Sequence, residues 1–89
     1  MAYMIRQLAD PVLSAEGVPY VAQLWAEGAV RCQTWFVFIA ADGRILRTPP
    51  DRSHRTRTGL LRWVARLRPD DLQRALARAF PPSAERPAA

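Results

Sequence analysis

The sequence predicts an α+β domain: a small antiparallel sheet of three to four strands followed by two C-terminal helices packed on one face. Three observations carry that expectation. Thr34-Trp35-Phe36-Val37-Phe38-Ile39 is a run of β-branched and aromatic residues, apolar on both faces, as a central strand requires. Asp42-Gly43 behind it is expected to supply the positive φ angles of a tight hairpin. From Leu60 onward the apolar period changes from two to that of a helix.

In chain order, Met4, Ile5 and Leu8 suit a short edge strand ending before Asp10-Pro11. Val18 to Trp25 alternates, with Tyr20, Ala22 and Leu24 on one face and Val21, Gln23 and Trp25 on the other, and Glu27-Gly28 follows as a turn. After the central strand and its turn, residues 44 to 48 return antiparallel, Ile45 and Arg47 sharing one face and Leu46 taking the other. Pro49-Pro50 ends this strand, because proline has no N–H to give the ladder, and a polar loop is expected to about Arg57. Leu60, Leu61, Trp63, Val64 and Leu67 then fit one helical face, with Thr58 as the expected N-cap. A second helix begins at Pro69, with Asp70 and Asp71 at the positive end of its dipole and an apolar stripe of Leu72, Ala75, Leu76, Ala79 and Phe80. Pro81-Pro82 stops it. Residues 1–82 therefore read as one domain and 83–89 as a disordered tail.

Length supports a single domain, since 89 residues fall just below the roughly 100–200 of one compact unit. A chain of this size buries about 60% of its unfolded surface, which leaves little room for a deep catalytic pocket or a large cofactor fold. The composition, 49% hydrophobic and 24% charged, is that of a globular protein. One cysteine, Cys32, excludes an internal disulfide, and one histidine, His54, is too few for a zinc site of ordinary type. No stretch approaches the roughly 20 apolar residues of a membrane span, and the N-terminal residues lack a signal-peptide pattern, so a cytoplasmic location without membrane contact is expected.

All thirteen basic residues are Arg, a choice that codon bias explains, and their distribution says more than their identity. Between Arg44 and Arg68 eight Arg stand against one acid, Asp51; the remainder holds five Arg against seven acids. Such segregation directs a positive field at anionic partners, nucleic acid or an acidic protein. The densest part, RTPPDRSHRTRT over 47–58, runs into a helix start, where guanidinium forks and free N–H groups near Thr58 and Gly59 would both face a phosphate. Arg47, Arg52, Arg55, Arg57, Arg62 and Arg66 are the candidate phosphate contacts. A solvated loop in an Arg-biased chain is the competing reading, with Asp51 offsetting Arg55 and Arg57 at the helix dipole.

Trp25, Trp35 and Trp63 could stack bases, although in a domain this small Trp35 and Trp63 are expected between sheet and helices. Two helices leave the other sheet face bare. If that face is apolar, with Phe36 and Phe38 the candidates to occupy it, it requires a partner, commonly a second copy of the chain. Catalytic chemistry has little to build on: Cys32 and His54 form a conceivable nucleophile–base pair without a visible orienting group, and no glycine-rich phosphate loop exists. The expectation is a non-enzymatic binding module without a cofactor, a homodimer through its sheet or its helix pair; the alternative is an interaction adaptor or homodimeric structural domain with no nucleic-acid role.

The residues Leu46-Arg47-Thr48, Arg57, Leu60, Trp63, Leu67, Pro69, Leu72, Ala75, Leu76, Arg78 and Ala79 also form, without gaps, a pattern that resembles a family of short uncharacterised bacterial proteins. The likeness extends more loosely over residues 20 to 80. It implies the same hairpin, polar loop and helix pair, and no activity. Here the loop carries Arg52, Ser53, His54 and Arg55 where the family favours Thr, Gln and Asn.

Overall fold

In the computed structural model, which describes residues 1–29, 31–50 and 52–81, the aromatic run lies in the strand that organises the domain. The elements are β1 (Ala2–Gln7), β2 (Val12–Leu13), β3 (Pro19–Glu27), β4 (Cys32–Ala40), β5 (Ile45–Arg47), β6 (Arg52–His54), α1 (Arg57–Ala65) and α2 (Pro69–Arg78). All strand pairs are antiparallel, and the domain is α+β with both helices following the sheet.

The six strands occupy four rows, which reconciles their number with the three to four expected. β3 and β4 pair along their full length, from Tyr20↔Ala40 to Glu27↔Gln33. On the far edge of β3, β1 covers residues 23–27 and β2 covers 19–20, so these two are one row broken around Pro11. On the far edge of β4, β5 covers residues 37–39 and β6 covers 32–34, one row broken at Pro49-Pro50. The polar loop predicted there is thus partly a strand. Both breaks have one cause: proline cannot donate to a ladder, so the chain leaves the edge and rejoins it further on.

Thr48 bridges the second break. Its N–H donates to the Phe36 carbonyl at 3.0 Å, and its Oγ1 accepts the Phe36 N–H at 2.9 Å. The hydroxyl takes the place of a ladder carbonyl just before the chain turns away. The hairpin into β5 forms, but not with positive φ at both turn residues as expected: Gly43 alone has it, at 91°, while Asp42 stays at negative φ and accepts from the Arg44 N–H at 3.0 Å. Gly43 N donates to Ala40 O and Ala40 N to Arg44 O, the three-residue loop that ends in a left-handed glycine.

The core lies between one sheet face and the two helices. Ala22, Leu24, Phe36 and Phe38 meet Leu60 and Val64 of α1 and Ala75 and Leu76 of α2. The face division foreseen for β3 holds, with Tyr20, Ala22 and Leu24 buried. For β4 it is the reverse of that expected: Phe36 and Phe38 point at the helices, and Trp35, one residue out of phase, points away. Trp63 does pack against the core, as expected. Among the described residues no helix is long and apolar enough to cross a membrane. The expected tail at 83–89 lies outside the described residues.

Candidate functional site

The chain is assembled around the Pro49-Pro50 break so that Arg52 and His54, alternate residues of β6, face the helix side beside Trp63 of α1. β6 is held by Thr34, whose hydroxyl donates to the Arg52 carbonyl at 3.3 Å. The Arg52 guanidinium lies 4.7 Å from the centroid of Trp63, and the His54 ring 5.0 Å from it; Phe36 packs on the same indole at 6.1 Å. Burial and the neighbouring Arg52 charge hold the His54 pKa below the ordinary imidazole value. Both effects disfavour its charged form.

Trp63 and Phe36 floor two adjoining hollows of about 240 and 370 Å³. Arg52 and Arg78 line both, Thr34 the smaller, and Arg66, Arg74 and Asp71 the larger. Each element contributes for a local reason. Arg66 ends α1 one turn beyond Trp63's neighbour Arg62, on the flank that Trp63 occupies. Asp71, Arg74 and Arg78 fall at i, i+3 and i+7, one stripe along the flank of α2. Beyond α2 the chain returns to the sheet edge, where Phe80 and Arg47 exchange backbone hydrogen bonds of 2.9 and 3.0 Å. That clamp sets Arg78 next to β6.

The one carboxylate among the described residues of this lining has a structural task. Asp71 accepts the Arg68 N–H at 2.9 Å, capping the start of α2, and pairs with Arg74 at 2.8 Å. The Arg68 N–H first, then Arg74, hold its carboxyl below the usual range. Among the described residues, the result is a concave surface where four arginines face one carboxylate, over an aromatic floor.

Comparison with known proteins returns no match to a family model, a curated protein or a solved structure. The site must be read from its geometry.

Of the six arginines singled out in the sequence, only Arg52 and Arg66 meet in this hollow. Arg47 sits opposite Val37, on the helix-free face, with its guanidinium 5.2 Å from the Trp35 ring. Arg55, Arg57 and Arg62 are exposed outside the lining, and Arg57 is close enough to Tyr3 to act on its phenol, on the far flank of α1. The helix start is also occupied by its own chain. Thr56, not Thr58, is the N-cap: its Oγ1 accepts the Gly59 N–H at 3.0 Å and its carbonyl the Leu60 N–H at 3.1 Å. The Gly59 and Leu60 N–H groups are thus taken by Thr56. The role considered for Asp51 lies outside the described residues.

Arg74 and Arg78 were missed because Asp70 and Asp71 interrupt the basic run in sequence. Their i, i+3, i+7 spacing was the available signal. Cys32 and His54 do stand opposite each other across β4 and β6, yet the buried thiol bonds to the Gly28 carbonyl and the Tyr3 hydroxyl, both at 3.4 Å, while His54 stacks on Trp63. The thiol bond raises the Tyr3 pKa above the ordinary phenol value.

Proposed function

We propose that this chain is a non-enzymatic binding module that holds the phosphates of a nucleic acid in the hollow formed by Arg52, Arg66, Arg74 and Arg78. The observation that carries this reading is the convergence of four arginines from β6, α1 and α2 on one concave surface, where Asp71, already engaged, is the one carboxylate among the described residues of the lining. Guanidinium groups offer planar donor forks that fit phosphate oxygens in pairs. The Arg52 group is pre-oriented by its stacking on Trp63, so less side-chain freedom is lost when it binds.

The same packing argues for recognition of phosphate over base. Trp63 has Phe36, His54 and Arg52 against it, Trp35 is 7% exposed, and Trp25 donates its N–H to Gln23 at 3.0 Å. Neither Trp63 nor Trp35 is an open platform for stacking, and Trp25 lies on the opposite sheet face from the hollow. Binding with little sequence preference follows.

The test is fluorescence anisotropy with labelled single-stranded and duplex oligonucleotides over a salt series. Four phosphate contacts give a slope of about −3.6 on duplex, hence a roughly 150-fold loss of affinity between 50 and 200 mM salt. Replacing Arg52, Arg66 and Arg78 with Ala should remove most of that slope, whereas replacing Arg55, Arg57 and Arg62 should leave the larger part. The reverse ranking, or no binding at low salt, would refute the assignment.

A further inference from the structure

We propose that the helix-free face of the sheet is the surface on which two copies of this chain pair. An antiparallel sheet with one wet face alternates apolar and polar residues along each strand. β4 does not: Phe36 and Phe38 point inward, and Trp35, Val37 and Ile39 point outward. Register extends that outward patch across all four rows, since Met4 lies opposite Trp25, Trp25 opposite Trp35, Val21 opposite Ile39, and Ile39 opposite Ile45. Met4, Val21 and Ile45 are 47%, 40% and 45% exposed. Among the described residues no element lies over this face, and the smallest extent of the molecule is 18 Å, that of one sheet and one helix layer.

Charge and area select a second copy as the occupant. The chain as a whole carries +5, yet the paired positions on this face contribute one acid, Glu27, and one base, Arg47. Two copies can meet here without like-charge repulsion, whereas the anionic ligand of the hollow finds no basic surface. Near the centre of the face Gln23 donates to Gln7 at 3.0 Å and accepts from Trp25 at 3.0 Å, so covering this pair strands few polar atoms. Two nine-residue strands at about 3.4 Å per residue, in four rows about 4.8 Å apart, give roughly 600 Å² per copy, near the lower bound for a stable interface. In such a dimer the sheets stack face to face, and the two arginine hollows lie on opposite outer sides. This pairing stands independently of what the hollow binds.

The experiment is sedimentation velocity on the full chain up to about 100 μM, where a micromolar dimer is almost entirely paired. The wild type should sediment as a dimer. A Val21→Glu, Ile45→Glu variant should be monomeric, its dissociation constant raised at least about 100-fold by unpaired charge in the interface. Both sites are exposed in the free chain, so the circular dichroism spectrum should not change. Isotope-filtered NOEs between labelled and unlabelled wild-type copies serve as a check independent of the variant, and should connect Val37 and Ile39 across the interface. A wild-type monomer at that concentration, a dimer that persists in the double variant, or intermolecular NOEs confined to the helices would overturn the proposal.

Discussion

Replacing Thr48 with Val isolates the contact that joins the two halves of the sheet edge. Thr48 is fully buried, and its hydroxyl is the acceptor for the Phe36 N–H at 2.9 Å. Val keeps the shape and exchanges the hydroxyl for a methyl, so no cavity forms and the Thr48 N–H bond to Phe36 survives. What changes is that a buried backbone N–H loses its partner, which costs about 1–3 kcal/mol. Burial of the added methyl offsets up to about 0.8 kcal/mol of this. The net loss is therefore about 1–2 kcal/mol, or roughly 5–15 °C in Tm for a domain of this size. Urea denaturation followed by tryptophan fluorescence should show a lower midpoint with an unchanged slope. Amide exchange at Phe36 should accelerate in the Val variant and remain slow in Thr48→Ser, which keeps the oxygen. A Val variant within about 0.5 kcal/mol of wild type, with Phe36 still protected, would refute the role given to this hydroxyl.

Gly28 has φ of 111°, and a Cβ there would come within van der Waals overlap of the Arg31 carbonyl oxygen; Gly28→Ala should therefore cost at least about 1–3 kcal/mol, measured by the same denaturation. An unaffected midpoint would mean that the β3–β4 turn adopts another conformation. His54 has a folded pKa below its unfolded value of about 6.5, so the unfolded chain binds more protons in that window. Its contribution is complete above about 6.5 and is lost as pH falls through the folded pKa; the urea midpoint should drop between pH 7 and 5 by less in His54→Gln than in wild type, and equal drops would contradict this. An anion held by Arg52 should raise the His54 pKa, observable in its imidazole proton shifts with and without oligonucleotide.

Most of the fold was legible because its strongest elements obey local rules. The β3–β4 hairpin, the β5 return and α2 follow from alternation, a left-handed glycine and an N-terminal Pro with acids behind it. β2 and β6 were not, since two- and three-residue polar or proline-flanked strands acquire their form from the ladder they join. The inversion of Trp35 with Phe36 and Phe38 has a related cause. A strand apolar on both faces gives no internal sign of which face the helices take, and the decision is made by β3, where Ala22 and Leu24 match Phe38 and Phe36.

The candidate site was half legible for a similar reason. Arg52 and Arg66 belonged to a visible basic run, but a run in sequence is not a surface. Strand alternation puts Arg47 on the opposite face from Arg52 once the chain has crossed the proline break. Arg74 and Arg78 join the hollow only because α2 folds onto the same sheet face as α1 and Phe80 pairs with Arg47. At the helix start, attractive as a phosphate cradle on composition, the Gly59 and Leu60 N–H groups are taken by Thr56, two residues before the Thr58 expected to cap it.

The most direct measurement of the central claim is side-chain NMR of the arginine Nε–H groups and tryptophan indoles during titration with a short oligonucleotide at low salt. Selective shifts at Arg52, Arg66, Arg74 and Arg78, with the Trp63 indole responding through Arg52, are the predicted result. Shifts confined to Arg55, Arg57 and Arg62, with the hollow unperturbed, would contradict it.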